Sequence, residues 1–372
     1  MSLVLNEEQQ MLSDSASEFF KQKASLAAFR QLRGTANPID SDLWQEMVDF
    51  AWPAIMIPEE LGGLGFGISG LGMIAIQAGR NLTVSPLFSS SAIGVQALMQ
   101  CKASPNRDSL VQSIAEGQSM VAVALSEGGH YSPNCIALEA IENEQGYLLN
   151  GVKTFVAEGN YADKVLVVAK LDTEPTLFIV NANSEGLSRQ KLELIDRRDC
   201  ANIEFKQVQV SKLQKLDWSS NDYVSSIDTI TNVGALMAGA ELYGCSLEAF
   251  ERTRVYLGDR VQFGKQIGSF QALQHRMAYA FTQLELLKSV LFDALHAVEN
   301  SRKDASLAVS HLKALANDTA KLVTQEAIQM HGGIGITDEL DIGLFYKRAR
   351  VLQAQFGDTS FHKDRFATLS DY

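Results

Sequence analysis

The sequence predicts an α+β fold in three parts: a helical N-terminal domain over residues 1–117, a middle antiparallel β domain over 118–216, and a C-terminal four-helix bundle over 222–372. Two observations predict it. The hydrophobic period is that of helices at both ends of the chain and that of strands between them. At 372 residues the chain also exceeds what one hydrophobic core usually serves.

The N-terminal helical pattern is clearest in EEQQMLSDSASEFFKQKA. Its apolar residues recur at spacings of three and four, which predicts one buried helix face formed by Met11, Leu12, Ala16, Phe19 and Phe20. The string IPEELGGLGFG then interrupts the helices, because its glycines permit a tight backbone course. We interpret it as a loop, and a close approach to a ligand is its functional alternative.

The middle segment has the period of strands. The run GYLLNGVKTFV contains Asn150 and Gly151, a pair that suits the two positive-φ positions of a type I′ turn, so a hairpin is predicted there. The strand-like runs KVLVVAKL, TLFIVNA and NIEFKQVQV follow. Together they predict a small antiparallel domain.

The last segment returns to the helical period in long stretches rich in alanine and leucine. Gly332, Gly333 and Gly335 interrupt it, and we expect four antiparallel helices joined by short loops.

Charge and composition exclude several classes of protein. Hydrophobic residues make up 46% of the chain and charged residues 20%, which excludes disordered and fibrous classes. The net charge of -12 argues against nucleic acid as a partner, since no basic stripe is present. No apolar run is long enough to span a bilayer and the N-terminus is acidic, so a cytoplasmic protein is expected. The four cysteines form no CxxC pair, which favours ordinary reduced thiols over a metal site.

Five motifs, in order along the chain, resemble the acyl-CoA dehydrogenase family. They are IPEELGGLGFG, LSEGGHYS, GYLLNGVKTFVAEGNYADKVLVVA, DRVQFGKQIGSFQALQHRMA and AIQMHGGIG. The resemblance covers nearly the whole chain, and it implies the fold given above with FAD bound between subunits.

The resemblance also implies the residues that contact FAD. Ser126, Ser132 and Phe155 of the β domain would contact the flavin and a phosphate. The segments that reach the cofactor of the neighbouring subunit, with one further contact near the C-terminus, would supply Arg260, Gln262, Phe263, Gln271, Gln329, Gly332, Gly333 and Thr359.

Elementary chemistry agrees with these roles and leaves ordinary alternatives open. The planar guanidinium of Arg260 suits a pyrophosphate, but it could equally form a surface salt bridge. Phe155 and Phe263 could be core residues, and serines at strand ends often only satisfy backbone groups. Gly332 and its neighbour could simply end a helix.

The general base expected from the resemblance is missing. Family members use a glutamate to remove the Cα proton of the acyl-CoA. In QFGDTSFHKDR, Phe356 fills the aromatic position before it and Gly357 stands where the glutamate belongs. The less common position, 26 residues before Arg260, is Gly234. Gly357 could still offer its backbone N–H to the thioester oxygen.

Two other carboxylates are candidate bases. Glu241 lies on nearly the same helix face as Gly234, in an otherwise apolar helix where an unpaired carboxylate is costly to bury. Its alternative is an ion pair with an arginine at a subunit interface. Asp358 lies one position after Gly357, and we favour it as the N-cap of the last helix. With His362 and Arg365 it would share one helix face.

The function implied is FAD-dependent dehydrogenation of a CoA thioester, with electrons passed to an electron-transfer flavoprotein. The FGDxxxH ending resembles the smaller partner of two-component enzymes, including the pimeloyl-CoA type, so a heterotetramer with a related subunit stands beside a homodimer or homotetramer. Two alternatives remain open: a catalytically silent subunit that completes an FAD site, and a flavin oxidase or monooxygenase on the same fold.

Overall fold

The computed structural model describes residues 5–33, 35 and 39–372. Its helices are α1 (Glu7–Lys23), α2 (Leu26–Leu32), α3 (Ser41–Asp49), α4 (Ile68–Arg80), α5 (Val95–Met99), α6 (Pro105–Ala115), α7 (Tyr223–Asp259), α8 (Gln271–Glu299), α9 (Ala305–His331), α10 (Ile342–Ala354) and α11 (Thr359–Leu369). Its strands are β1 (Val121–Ala124), β2 (Glu139–Asn143), β3 (Gly146–Ala157), β4 (Lys164–Leu171), β5 (Glu174–Asn181), β6 (Leu187–Lys191), β7 (Cys200–Val210), β8 (Lys215–Leu216), β9 (Val261–Gln262) and β10 (Lys265–Gln266). The predicted order of helices, strands and helices is confirmed.

The chain divides into two compact units. The first comprises residues 1–35, 72–84 and 235–372, and the second comprises residues 36–71 and 85–234. The first unit therefore contains α1, α2, α8 to α11 and most of α4 and α7. The second contains α3, α5, α6 and the strands β1 to β8.

The β domain is one eight-stranded sheet. Its strand order is β6-β7-β3-β2-β4-β5-β8, with β1 paired to β4 off this path. Most pairs are antiparallel as predicted, but β1 and β2 both run parallel to β4. One face packs a core of buried apolar residues, among them Tyr147, Leu149, Val165, Phe178 and Phe205.

The turn predicted at Asn150 and Gly151 is wrong. Strand β3 runs through both residues, and the β2–β3 hairpin closes where Asn143 pairs with Gly146. Gly151 has φ +144 and lies at a shift of register against β7, while the Asn150 side chain accepts the Gln207 N–H at 2.9 Å. The Asn-Gly pair thus forms an irregularity in a long strand, because the register with β7 is decided by packing that the dipeptide does not encode.

Helix α1 begins with a capping box, in which the Asn6 side chain and the Gln9 side chain bond to each other's backbone N–H. Its buried face is shorter than predicted. Ala16, Phe19 and Phe20 are buried, whereas Met11 is 72% exposed. The first turns of the helix therefore extend past the core of the first unit.

The glycine loop IPEELGGLGFG takes the tight course that its composition predicts. Gly62, Gly65 and Gly67 all have positive φ. A Cβ on Gly63 would collide with the backbone of Ile57. The glycine loop therefore allows a close approach between Gly63 and the backbone of Ile57, within the second unit.

The C-terminal segment contains five helices where four were expected. Helix α7 is 37 residues long, and residues 230–246 are buried on all faces. Helix α9 ends before Gly332, as the glycines predict. The extra helix arises because the chain leaves helical geometry between α10 and α11, where Phe356 has φ +55 and Gly357 has φ +98.

All four cysteines are free, and only Cys135 is exposed. Among the described residues, no cluster of three or more potential His, Cys, Asp or Glu metal ligands occurs. The same residues include no helix that combines the length and apolar character needed to cross a membrane.

Candidate active site

The turn between α10 and α11 contains Gly357, which stands at the position where the resemblance places the base. Both Phe356 and Gly357 have positive φ, which is uncommon for an aromatic residue and costs about 1 kcal/mol or more. Such strain persists only where the surroundings impose it. Three side chains of the first unit do so here: Lys313, His362 and Asp358.

Lys313 of α9 is fully buried beneath the turn. Its ammonium donates to the Gly357 carbonyl at 2.9 Å, to the Leu352 carbonyl at 3.0 Å and to Asn317 Oδ1 at 2.9 Å. These three acceptors satisfy its three N–H groups. Burial lowers the pKa of Lys313 to about 7, and the charge of Asp358 opposes that shift.

His362 of α11 contacts the carbonyl of Phe356, the residue before Gly357. Its Nε2 lies 2.7 Å from the Phe356 carbonyl oxygen, and the side chain is 1% exposed. Its Nδ1 has no hydrogen-bond partner among the described residues. Burial, and then the nearby Lys313 ammonium, lower the pKa of His362 to about 4, so the ring is neutral near pH 7.

The space around Gly357 is closed to a side chain. A Cβ there would lie 2.5 Å from Phe361 Cδ1 and 2.8 Å from His362 Nε2. The glycine is buried, and its N–H donates to no acceptor within the described part of the chain. The turn therefore offers a backbone donor but no room for the glutamate that the motif would otherwise carry.

Asp358 is the N-cap of α11, as we favoured. Its Oδ1 accepts the Phe361 N–H at 2.8 Å. The residue is exposed, and its second carboxylate oxygen makes no hydrogen bond within the described residues. Of the other residues predicted to share its helix face, Arg365 donates to Ser310 Oγ at 3.0 Å.

Glu241 lies in a buried ion pair within the same chain. Its carboxylate oxygen is 2.7 Å from Arg348 Nη1, and both side chains are buried. The arginine also donates to the carbonyls of Thr83 and Leu82 at 3.2 and 3.1 Å. This arrangement favours the structural alternative for Glu241, with the partner in the same chain and not across a subunit interface.

In the second unit, a buried lysine fixes the loop that carries Ser126 and Ser132. Lys153 of β3 donates to Glu127 Oε1 at 2.6 Å and to the Leu125 carbonyl at 3.1 Å. Glu127 accepts two backbone N–H groups as well, those of residues 137 and 138. Burial lowers the pKa of Lys153 to about 8, and the Glu127 charge opposes that shift.

Phe155 follows this lysine in a strained and exposed position. It has φ +52 and is 60% exposed, and it lies where the register between β3 and β7 shifts. Its N–H donates to Asn202 Oδ1 at 3.2 Å. An exposed aromatic ring held in an unfavourable backbone conformation is typical of a ligand contact and not of core packing.

The segment after α7 forms a small exposed hairpin. Strands β9 and β10 pair Gln262 with Lys265, so Phe263 and Gly264 form a two-residue turn with φ +55 and +78. Phe263 is 91% exposed. The Arg260 guanidinium makes no hydrogen bond or ion pair with any described residue. Both side chains are thus available to another molecule.

The five remaining predicted contacts near the helix ends differ in availability. A Cβ on Gly332 or Gly333 would meet no atom of the described residues within 4 Å, so the backbone there is open. Gln271 and Gln329, on α8 and α9, have no side-chain hydrogen bond within the described residues. Thr359, in contrast, donates its hydroxyl to Asp318 Oδ1 at 3.1 Å.

Family models match nearly the whole chain. The description "Acyl-CoA dehydrogenase, N-terminal domain" applies to residues 6–118, the middle domain of the same family to 122–208, and the C-terminal domain to 224–368. The chain belongs to the acyl-CoA dehydrogenase family. It is therefore an oxidoreductase that acts on acyl-CoA.

Known relatives of similar length support membership of the acyl-CoA dehydrogenase family. The chain is 26% identical to the caffeyl-CoA reductase-Etf complex subunit CarC of Acetobacterium woodii, covering 94% of each chain. It is 29% identical to acyl-CoA dehydrogenase IpdE2 of Mycobacterium tuberculosis, covering 92% of this chain and 91% of the relative. The ChsE4-ChsE5 complex from Mycobacterium tuberculosis has the same fold, with a TM-score of 0.92, 22% identity and full coverage of both chains.

Acyl-CoA dehydrogenases are flavoproteins, and the residues present fit a flavin. Arg260, which pairs with none of the described residues, is a cation suited to a diphosphate, and the open backbone at Gly332 and Gly333 can approach a nucleotide closely. The exposed rings of Phe155 and Phe263 can pack on flat heterocycles.

Sequence reasoning missed three buried cations that contact the candidate residues or the segments that carry them, one in the second unit and two in the first. Lys153 and Lys313 interrupt largely apolar runs, and this was the available signal, whereas Arg348 lies between Lys347 and Arg350 and gives no such signal. A charge in such a run is costly to bury without partners. Their partners, however, come from distant parts of each unit and could not be assigned from spacing.

Proposed function

We propose that this chain binds FAD and catalyses α,β-dehydrogenation of a CoA thioester, with Asp358 as the general base and electrons passed to an electron-transfer flavoprotein. One observation carries the proposal. Of the two candidate carboxylates, Asp358 is exposed and one of its oxygens bonds to none of the described residues, whereas Glu241 is buried against Arg348.

Two groups of the turn between α10 and α11 would act on a bound CoA thioester. The Gly357 N–H would donate to the thioester oxygen, which withdraws electrons from the carbonyl and makes the Cα proton more acidic. The neighbouring Asp358 carboxylate would take that proton. The bound flavin supplies the acceptor for the hydride that leaves Cβ, so the product gains a carbon–carbon double bond. Lys313 keeps the turn in place beneath both residues.

FAD is favoured over a smaller flavin because the candidate contacts include a diphosphate-binding arginine and an open glycine backbone. Arg260→Ala is expected to release the cofactor on dilution, and Arg254→Ala, six residues earlier in α7, serves as the control. Chromatography of the released cofactor identifies it. Retention of FAD by Arg260→Ala at dilute protein would remove this assignment.

The base is tested by anaerobic single-turnover reduction of the holoenzyme with CoA thioesters. Asp358→Asn is expected to slow flavin reduction by about a hundredfold or more, the usual contribution of general base catalysis. Glu241→Gln should reduce the amount of folded protein but leave the rate per flavin near that of the wild type. The opposite pattern would assign the base to Glu241.

A second candidate is a catalytically silent subunit that completes the FAD site of a related partner. It is favoured by the closed space at Gly357, which excludes the usual glutamate. The names of the relatives support both an electron-transfer flavoprotein and a second subunit as partners, since one is a subunit of a reductase-Etf complex and another solved structure is a two-protein complex. Turnover by the purified chain alone separates the two candidates.

A further inference from the structure

Among the described residues, the peptide group between Phe356 and Gly357 is hydrogen-bonded through its carbonyl and not through its N–H. Its carbonyl points inward, 2.7 Å from His362 Nε2. Because the peptide bond is trans, its N–H points away from the carbonyl. That N–H belongs to Gly357 and donates to no acceptor in the described part of the chain.

The ring of His362 must donate in this contact. A carbonyl oxygen only accepts hydrogen bonds, so Nε2 carries the proton. The Nδ1 atom has no partner within the described residues, and the Lys313 ammonium nearby disfavours a second positive charge. The neutral tautomer with a proton on Nε2 satisfies these conditions.

A hydrogen bond accepted by a carbonyl polarises the amide to which it belongs. Chains of hydrogen bonds through a peptide group strengthen one another in a low-dielectric interior. The His362 bond therefore both aims the Gly357 N–H and makes it a better donor. Lys313 donates to the carbonyl of Gly357. The peptide groups before and after the glycine are therefore both fixed by hydrogen bonds.

We propose that His362 is a positioning residue, which orients and polarises the Gly357 N–H so that it binds the carbonyl oxygen of a CoA thioester. The inference rests on the proposed function, since it assumes a thioester at this turn. It also explains why position 357 is glycine: a Cβ would lie 2.8 Å from the Nε2 atom that does the positioning. In this chain a side chain at 357 would have to displace the rings of Phe361 and His362.

The test compares two ligands that differ only in the carbonyl oxygen. A trans-2-enoyl-CoA thioester presents the oxygen, and the alkenyl thioether of CoA with the same chain does not. Calorimetric titration of the holoenzyme gives the ratio of the two affinities. Wild type is expected to prefer the thioester, and His362→Leu, which fills the space without an N–H, should lower that ratio by about tenfold.

Two matched variants complete the design. His362→Gln places an amide N–H near the position of Nε2 and should keep most of the preference. His311→Ala, an exposed histidine of α9 whose ring contacts Phe366 of the same helix α11, should leave the ratio unchanged. An unchanged ratio in His362→Leu, or no preference in wild type, would overturn the inference.

A measurement on the wild type alone decides the matter if His362→Leu does not fold. Nitrogen NMR of the labelled histidine ring should show a protonated Nε2 whose signal shifts with the thioester but not with the thioether. An unprotonated Nε2, or equal shifts with both ligands, would overturn the inference. Wild type that binds neither ligand would overturn the proposed function itself, and the inference with it.

Discussion

The carboxylate of Glu241 and the guanidinium of Arg348 are 2.7 Å apart in the interior of the first unit, where α7 meets α10. Arg348 also donates to the carbonyls of Leu82 and Thr83, just after the end of α4. The pair thus joins three segments that are far apart in sequence. A single substitution in it leaves the other charge buried.

Glu241→Gln is expected to lower the free energy of unfolding by about 3 kcal/mol, because the Arg348 charge loses its counterion in a dry environment. Glu251→Gln on the same helix is the control, since Glu251 is half-exposed and its contact with Arg80 is 3.4 Å long. That change should cost less than about 1 kcal/mol. Denaturant unfolding of the two variants measures both values, and equal small losses would contradict the structural role of Glu241.

Gly357→Ala is expected to destabilise the protein by more than about 1 kcal/mol, because its φ of +98 is unfavourable for alanine and the new Cβ would meet Phe361. Gly343→Ala in α10 has open space around its Cβ and should be neutral or slightly stabilising. Gly357→Glu should meet the same strain and clash, and it should therefore not restore a general base at this position. Melting temperatures of the two alanine variants test the difference, and the idea fails if they agree.

Stability should fall with acid in a way that depends on His362. Its pKa is about 4 when folded and near 6.5 when unfolded, so the unfolded chain binds more protons between these values. The contribution is fully present above pH 6.5 and is lost as the pH falls towards 4, up to about 3 kcal/mol. The charged groups that act on the ring are Lys313, Arg365 and Asp358.

The measurement is the free energy of unfolding of wild type and His362→Gln between pH 4 and pH 7. Other titrating groups are common to both proteins, so the difference isolates the histidine. Wild type should lose more stability on acidification than the variant. Parallel curves would mean that His362 is not held neutral in the folded protein.

Lys153→Met is expected to destabilise the protein by about 2 kcal/mol and to weaken flavin retention, because Glu127 loses the cation that fixes its loop. Lys206→Met provides the control in the same sheet, since its pair with Glu204 is exposed and worth less than about 1 kcal/mol. Unfolding experiments and the flavin content of the purified proteins are compared. Full flavin retention by Lys153→Met would show that this lysine does not contribute to cofactor binding.

The overall layout could be predicted from the sequence, because hydrophobic period and turn residues are local signals. The helix break at Gly332 and the N-cap at Asp358 are of this kind, and both are observed. Asn150 and Gly151 show the limit: the pair suits a hairpin turn, yet pairing of β3 with β7 keeps the strand continuous. Long-range pairing overrides a preference that is worth about 1 kcal/mol.

The site could be predicted only in part. Resemblance indicated Gly357 and the absence of a base, but not the buried lysine and histidine that hold the turn. Lys313 lies 44 residues from Gly357, and no spacing rule links them. Glu241 was recognisable in the sequence as a charge in an apolar helix, but its ion-pair partner Arg348 was identified only from the structure.

The most direct measurement is the visible spectrum of the purified chain before and after anaerobic addition of a panel of CoA thioesters. The proposal predicts bound flavin whose oxidised absorption band is bleached by at least one thioester in wild type and persists in Asp358→Asn. Bound flavin that no thioester bleaches, or a chain that carries no flavin at all, would contradict it and favour a silent subunit that acts only with its partner.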